Sequence, residues 1–406
     1  MTMEKGPLEG VRVADFSWAW AGPYATLLLG FLGAEIIKIE SKKRLDHSRL
    51  MSLTTGQAFK SLDASPVFCQ LNLNKLGVTL NLSTGKGIAL AKRIVGLSDV
   101  VIENFRPGVI EKLGLGYKAL REVKPDIVML SISARGQKGP ERHYVGYAPN
   151  FGALGGLSYL TGYAGGEPST LVGSMDLRVG TWAAFAVLGA LAHWKRTGEG
   201  QYIDLSASEA VSCLITDSIM EYTVNGKVPT RMGNEDDIMA PHNCYRCHGE
   251  DRWVSIAVST EGEWEALCGA MGNPEWTRDA QFGDAFQRWR NREELDKRIT
   301  EWTRNYRCEE VTEKLQGAGV AAYPSMSNKD MFGSEHLKER GFAMEVEHPV
   351  VGRHVTINPP WKFGETPAEI RRRAPLMGEH NGYAYGELLG LSQSEIDQLV
   401  KEEVIY

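Results

Sequence analysis

Short apolar segments alternate with helical patterns through the first half of the chain. The apolar segments have the length of buried strands and comprise residues 11–15, 34–39, 99–102, 127–132 and 201–205. Apolar stretches of helical length or spacing lie between them, in residues 24–32, 84–97 and 177–194. Because a helix between successive strands allows the strands to run parallel, this alternation predicts an α/β fold with a parallel sheet.

A polar, turn-rich stretch interrupts this alternation at residues 224–243, where Asn225-Gly226 and Gly233-Asn234 occur. The segment that follows contains a strand pattern at 253–258 and charged helical stretches. We therefore expect three parts: a large domain in residues 1–224, a linker and a smaller α+β domain in 225–325, and a return to the large domain in 326–406.

Charge and hydropathy restrict the partners of this 406-residue chain. It has 45 Lys and Arg against 51 Asp and Glu, a net charge of −6, so it lacks the basic excess of a nucleic-acid or anionic-membrane binder. Residues 1–10 show no leader pattern, and the longest apolar run, 182–192, is shorter than the ~20 residues that span a bilayer. We expect a cytoplasmic protein with no nucleic-acid or membrane partner and with its six cysteines reduced.

The segment Cys244-Tyr-Arg-Cys247-His248 matches the C-x-x-C-H pattern of covalent haem attachment. Haem of that type normally follows export, and no export signal is visible. A zinc site would need a second pair of ligands, for which His242 and His248 are the nearby candidates. The alternative that we favour is two thiols in a strand or turn, without a metal.

Several common catalytic motifs are absent from the sequence. It contains no G-x-G-x-x-G after a strand, no G-x-x-x-x-G-K-[ST], no G-x-S-x-G and no H-E-x-x-H. Nicotinamide, nucleotide, serine-hydrolase and zinc-peptidase chemistries are therefore unsupported, and periodicity alone predicts only an α/β protein of enzyme size.

Segments spread over nearly the whole chain resemble the class III coenzyme A transferases, the formyl-CoA and carnitine CoA-transferase family. The resemblance rests on Val11-Arg-Val-Ala-Asp-Phe16, Ala21-Gly-Pro23, Asn72-Leu-Asn-Lys75, Asn104-Phe-Arg-Pro-Gly108, Ser131-Ile-Ser-Ala-Arg-Gly136 and Gly378-Glu-His380. It implies a Rossmann-like large domain built from both chain ends, a smaller middle domain, and dimers that interlock. It also implies a reaction that moves coenzyme A from an acyl-CoA to a carboxylic acid, with the CoA thioester as substrate and no further cofactor.

The family's catalytic aspartate matches Asp176, in Gly173-Ser-Met-Asp176. A carboxylate can attack a thioester carbonyl to form an anhydride, and the CoA thiolate can return to form an enzyme thioester, which divides the exchange into easier covalent steps. The residues alone leave an alternative open, namely that Asp176 only caps a helix that begins at Leu177.

The resemblance also marks positions near CoA, whose phosphates require cations or exposed amides. These positions are Asn72, Lys75, Asn104, Phe105, Arg106, Lys112, Ser133 and Arg135. A family arginine after the second strand falls near Ser41, beside Lys42 and Lys43.

Two further positions concern the acceptor acid. Trp20 lies at or beside a polar glutamine of the formyl-CoA members, and Tyr147 matches a position that lines the site. A large ring at residue 20 would exclude a small acid such as oxalate and pack against a bulky one. We therefore expect an aromatic-substituted acceptor such as benzylsuccinate, with succinyl-CoA as donor.

Two alternatives to this function share the expected fold. An α-methylacyl-CoA racemase would carry a Gly-His-Asp segment where this chain has Gly146-Tyr147-Ala148. The second alternative is a CoA-binding subunit of a heteromeric transferase, so the partner would be either a second copy of the chain or a related subunit.

Overall fold

The computed structural model describes residues 6–50, 61–171 and 174–406. The chain forms two compact units. The described residues of the larger unit fall in the ranges 1–158, 170–227 and 338–406, and those of the smaller unit in 159–169 and 228–337.

The larger unit is built on a six-stranded parallel sheet in the order β3-β2-β1-β4-β5-β6. Its strands are β1 (Arg12–Asp15), β2 (Glu35–Glu40), β3 (Lys75–Thr79), β4 (Val100–Glu103), β5 (Val128–Ser133) and β6 (Tyr202–Ser206). The strands are placed outward from β1 on one side and from β4 on the other, as in dinucleotide-binding folds. Open α/β sheets bind ligands at this switch in strand order, here between β1 and β4.

The helices of the larger unit connect and cover these strands. They are α1 (Ala21–Phe31), α2 (Pro66–Leu71), α3 (Gly85–Gly96), α4 (Val109–Lys112), α5 (Tyr117–Val123), α6 (Ala148–Leu154), α7 (Leu157–Leu160), α8 (Met175–Thr197), α9 (Ala207–Ser212) and α10 (Thr216–Asn225).

Consecutive strand residues enter two separate cores because side chains alternate across a sheet. Val13, Val100 and Val128 pack on one face with α1 and α8. Ala14, Val101 and Met129 pack on the other face with α3 and α5. Burial on both faces explains why these strands are continuous apolar runs.

Helix α8 is 23 residues long and apolar enough, by length and composition, to cross a membrane. Its buried side chains, which include Val179, Ala183 and Val187, belong to the core shared with α1. Core packing therefore accounts for the buried part of its apolar surface, while Trp182 and Phe185 of the same helix are exposed.

The smaller unit has an antiparallel sheet of β7 (His242–Arg246), β8 (Trp253–Ala257) and β9 (Ala321–Pro324). Its α-helices are α11 (Glu261–Ala270), α12 (Ala285–Arg290), α13 (Arg292–Thr303), α14 (Cys308–Gly317) and α15 (Asn328–Gly333), with 3-10 turns at Glu275–Arg278 and Ala280–Phe282. Helix α16 (Glu335–Glu339) leads back into the larger unit. Cys247 lies in the core of this unit with Cys308, and burial raises the pKa of its thiol to about 12. Cys244 Sγ lies 3.3 Å from Ser255 Oγ. Within the described residues, no group of three or more His, Cys, Asp or Glu side chains could hold a metal ion.

The C-terminal part of the chain returns to the larger unit. It adds the hairpin β10 (Ala343–His348) and β11 (Gly352–Ile357), a π-helical segment Gly382–Leu388, and α17 (Gln393–Lys401). Asn381 donates to Thr79 Oγ1 at 2.9 Å, and Val404 and Ile405 lie in the core beneath α3. The predicted α/β fold, with a Rossmann-like part built from both chain ends, is confirmed.

Candidate active site

Five loops converge at the carboxyl edge of the parallel sheet, because every strand of such a sheet ends on the same side. They follow β1 at residues 16–20, β2 at 41–46, β3 at 80–83, β4 at 104–108 and β5 at 134–136. The sheet order therefore brings together segments that are more than 100 residues apart in the sequence.

A cavity of about 280 Å³ lies among the first four of these loops. Its wall contains Trp18, Lys43, Arg44, Asn81 and Phe105. Aromatic rings, cations and a carboxamide are the groups that bind a base and its phosphates. The cavity is thus suited to the nucleotide part of a ligand such as CoA.

Arg44 and Trp18 are cavity residues that the sequence analysis missed. The Arg44 guanidinium lies 4.7 Å from the centre of the Trp18 ring, and His47 lies 4.6 Å from the same ring. The loop that carries Arg44 is anchored by Arg49, which donates to both carboxylate oxygens of Glu40 at 2.8 Å. The signal was an arginine within four residues of the end of the second strand, displaced from the expected position at Ser41.

The loop after β4 presents the predicted CoA residues in different ways. Phe105 lines the cavity, half-buried against the core, whereas Arg106 is exposed. Lys112 is exposed at the end of α4. The Asn104 carboxamide is hydrogen-bonded to the backbone of Trp18. Its Oδ1 accepts from the Trp18 N–H at 2.9 Å, and its Nδ2 donates to the Trp18 carbonyl at 2.8 Å.

The side chains of Asn72 and Lys75, which the resemblance places near CoA, do not line this cavity. Both side chains are fully buried. Lys75 Nζ donates to Asn72 Oδ1 and to the Pro23 carbonyl, each at 2.9 Å, and lies 3.3 Å from Asp15 Oδ2. Burial lowers the pKa of Lys75 to about 8. These two residues support the loop after β1 from beneath.

The residues after β5 lie beside the β4 loop, because β4 and β5 are neighbours in the sheet. Ser133 is buried, and its Oγ has no hydrogen-bond partner among the described residues. Arg135 forms an ion pair with Glu141 and lies over the Tyr144 ring. An unsatisfied buried hydroxyl at the carboxyl end of a parallel strand is a candidate ligand group.

Asp176 lies in the first turn of α8, which begins at Met175 and is preceded by Ser174 at the cap position. The alternative that Asp176 caps this helix is therefore wrong; Gly173 of the same motif lies outside the described residues. Asp176 has no hydrogen bond or ion pair among the described residues, and burial raises its pKa to about 6. The amides of the first helical turn act in the opposite direction and favour the anion.

Helix packing brings the start of α1 against α8 one helical turn away from Asp176. Gly180 shares a helical face with Asp176, four residues earlier. A Cβ at Gly180 would lie 2.7 Å from the Ala21 carbonyl oxygen, so α8 approaches α1 at the residue that follows Trp20. Asp176 is therefore within about one helical turn of the start of α1.

Tyr147 precedes α6 and is 64% exposed, with its N–H donating to Asn150 Oδ1 at 2.9 Å. Helix α6 contacts the start of α8, where a Cβ at Gly152 would lie 3.6 Å from Met175 Sδ. Tyr147 is thus on an element that packs beside Asp176, with its ring available to solvent.

The chain is similar over most of its length to known proteins. The family model described as CoA-transferase family III matches residues 8–381. The alpha subunit of succinyl-CoA–L-malate CoA-transferase from Chloroflexus aurantiacus is 34% identical over 99% of this chain and 93% of its own length. A succinyl-CoA:mesaconate CoA-transferase from Haloarcula marismortui is 35% identical over 92% of this chain and 94% of its own.

A solved structure shares the fold. The crystal structure of a CAIB/BAIF family protein from Brucella suis superposes with a TM-score of 0.85 at 29% identity, and covers 95% of this chain and 100% of that one. The chain belongs to CoA-transferase family III, and it is an enzyme of the CoA-transferase class.

Proposed function

We propose that this enzyme transfers coenzyme A from succinyl-CoA to a four-carbon dicarboxylic acid that carries a substituent at C2, with Asp176 as the nucleophile. The observation that supports it best is the Asp176 carboxylate. It has no partner among the described residues, has a raised pKa and lies about one helical turn from the start of α1. A desolvated, unpaired carboxylate is more nucleophilic than a solvated or paired one.

The reaction proceeds by four acyl transfers at the Asp176 carboxyl group. Asp176 attacks the succinyl carbonyl carbon, the C–S bond breaks, and CoA leaves as the thiolate. The thiolate attacks the Asp176 carbonyl carbon of the resulting anhydride and releases succinate. The acceptor carboxylate then attacks the enzyme thioester and displaces the thiolate, which finally attacks the acceptor carbonyl and frees Asp176. No proton or electron is gained or lost overall.

CoA binds at the carboxyl edge of the sheet. The cavity beside Trp18 and Phe105 takes the nucleotide, and the cations Arg44, Arg106 and Lys112 bind its phosphates. The pantetheine arm then runs past the Trp18–Trp20 segment toward Asp176. Ser133 and Arg135, after the neighbouring strand, flank this path.

The choice of acceptor rests on the relatives and on Trp20. Malate and mesaconate, named for two relatives, are both four-carbon diacids with a substituent at C2. Benzylsuccinate is the same diacid with an aromatic substituent, which a tryptophan ring at residue 20 would stack against. Tyr147 supplies a second aromatic group beside the site.

We further propose that the chain acts as an interlocked dimer, either with itself or with a related subunit. Helix α8 exposes Phe185 to 68%, with Trp182 edge-on at 6.1 Å, and no residue of α10 is buried. Exposed apolar surface of this extent is typical of an interface. One relative is named as an alpha subunit, which supports the heteromeric form as the alternative.

The nucleophile is tested by trapping. Enzyme incubated with succinyl-CoA and then with hydroxylamine should yield a hydroxamate on the peptide that contains Asp176, and Asp176→Asn should yield none. An unmodified peptide from turning-over enzyme would exclude the covalent role. A panel of acids that includes malate, mesaconate, glutarate, oxalate and benzylsuccinate, read by liquid chromatography, tests the acceptor class. Preference for oxalate would contradict it.

A further inference from the structure

The turn between β1 and α1 is held by side chains from other parts of the sheet. A single carboxamide, that of Asn104, bonds both the N–H and the carbonyl of Trp18, at 2.9 and 2.8 Å. An amide side chain can replace the donor and acceptor of a neighbouring strand in this way. Both the oxygen and the nitrogen of the Asn104 carboxamide therefore bond to the backbone of another loop.

A buried ion pair fixes the residues on both sides of Trp18. Lys38 Nζ lies 2.9 Å from Asp46 Oδ2 and donates to the Ser17 carbonyl at 2.7 Å. Asp46 Oδ1 accepts from the Ala19 N–H at 2.8 Å. Because both charged groups are buried, a displacement of this turn would leave a charge without its hydrogen bonds.

The turn is held in a conformation that its residues do not favour. Ala19 has a φ of 65°, in the left-handed region that side chains with a Cβ disfavour. Such residues persist where the surroundings over-determine them, and they concentrate at functional sites. The next residue, Trp20, leads directly into the part of α1 that faces α8 near Asp176.

We propose that Asn104 is a positioning residue. Together with the Lys38–Asp46 pair it fixes the Trp18–Trp20 turn, and so it determines which acceptor acids the enzyme accepts. The proposal rests on the proposed function, since the substrate choice it explains is that of the acceptor. It replaces the role of Asn104 as a CoA contact, which the family resemblance implied. Asn104 acts through Trp20 and does not touch the acceptor.

The test uses Asn104→Ala and Asn104→Asp in the full-length chain, with Lys118→Ala, an exposed residue of α5, as the control. Three quantities are measured: amide hydrogen exchange of peptides covering residues 16–20, the CoA dissociation constant by calorimetry, and the ratio of kcat/KM for benzylsuccinate to that for malate. Asn104→Ala should accelerate exchange at residues 18–20 about tenfold and reduce the acceptor ratio by a similar factor. The CoA dissociation constant should rise by a smaller factor than the acceptor ratio falls, because only Trp18 of the cavity wall is loosened while Arg44 and Phe105 keep their places.

The aspartate variant makes the test independent of whether the alanine variant folds. Its carboxylate can still accept from the Trp18 N–H and cannot donate to the Trp18 carbonyl, so we expect an intermediate exchange rate. A rise of tenfold or more in the CoA dissociation constant with unchanged exchange and acceptor ratio, in either folded variant, would overturn the proposal. If the unmodified enzyme transferred CoA to none of the acids, the proposed function would fail, while the exchange data would still decide whether Asn104 holds the turn.

Discussion

Gly180 of α8 stands so close to α1 that a Cβ on it would lie 2.7 Å from the Ala21 carbonyl oxygen and 2.9 Å from the Tyr24 ring. Asp176 lies one turn of α8 before this point of approach. Gly180→Ala should therefore lower the free energy of unfolding by about 1–3 kcal/mol, because the helices must separate. Urea denaturation measures the change.

Gly189 on the same helix is the matched control. A Cβ there would meet no atom within 4 Å. Gly189→Ala should raise the free energy of unfolding by about 0.5–1 kcal/mol through helix propensity alone. If both substitutions changed the free energy of unfolding in the same direction, close packing at Gly180 would not be the cause of the Gly180→Ala effect.

Asp176→Asn should make the protein more stable and inactive at the same time. Burial raises the folded-state pKa to about 6, so the folded state holds its proton more tightly than the unfolded chain. Above pH 6 the ionised Asp176 carboxylate therefore lowers the free energy of unfolding. This loss disappears as the pH falls toward ~4, the pKa of the carboxyl group in the unfolded chain. We expect a gain of about 1–2 kcal/mol at pH 8, after allowance for partial exposure, and a smaller gain at pH 5.

The control for Asp176 is Asp217→Asn. Asp217 occupies the first turn of α10 and is exposed, so its replacement removes only a favourable interaction with the helix terminus. It should lower the free energy of unfolding by about 0.3–1 kcal/mol. An Asp176→Asn protein that is less stable than the parent at pH 8 would contradict the desolvated nucleophile.

The sequence predicted those strands that are continuous apolar runs. Such runs are typical of strands in a sheet that is covered on both faces. It did not predict β3 (Lys75–Thr79), in which Lys75 and Gly77 interrupt the pattern. Both exceptions have tertiary causes. Lys75 is satisfied by Asp15 and Asn72, and a Cβ at Gly77 would lie 2.9 Å from Pro375, a residue almost 300 positions away.

The sequence also predicted only part of the candidate site, because tertiary contacts decide which of its side chains are accessible. Motif resemblance selected the loop after β4, and Phe105 of that loop lines the cavity. It could not tell an accessible lysine from a buried one: Lys112 is exposed, while Lys75 is fully buried. Nor could it locate Arg44, whose place over Trp18 depends on the anchoring of its loop by Arg49.

Lys75→Ala and Lys112→Ala should separate a supporting role from a binding role. Removal of Lys75 leaves Asp15 without its buried cation and should lower the free energy of unfolding by about 3–5 kcal/mol. The CoA dissociation constant of the folded fraction should change little. Lys112→Ala should leave stability within about 0.5 kcal/mol and weaken CoA binding. Calorimetry and urea denaturation on both variants decide this, and the reverse pattern would return Lys75 to the ligand site.

Arg44→Ala should weaken CoA binding about tenfold or more, because it removes a charge-assisted contact from the cavity wall. The affinity should also become less sensitive to salt, since screening acts on the interaction that is lost. Lys42→Ala is the control: its Nζ lies 5.7 Å over the Tyr406 ring, and Lys42 is not part of the cavity wall. Equal losses in the two variants would indicate a general charge effect.

Trp20→Gln should change the choice of acceptor more than the use of the donor. The loss of an indole face removes about 1.5–3 kcal/mol of apolar contact with an aromatic substituent, so kcat/KM for benzylsuccinate should fall about 10- to 100-fold. For malate, which offers no ring, the change should stay within about threefold, and KM for succinyl-CoA should remain as in the parent. Trp20→Phe retains a ring and should recover most of the benzylsuccinate activity. A uniform loss with every acid would place Trp20 in the support of the fold and outside the acceptor pocket.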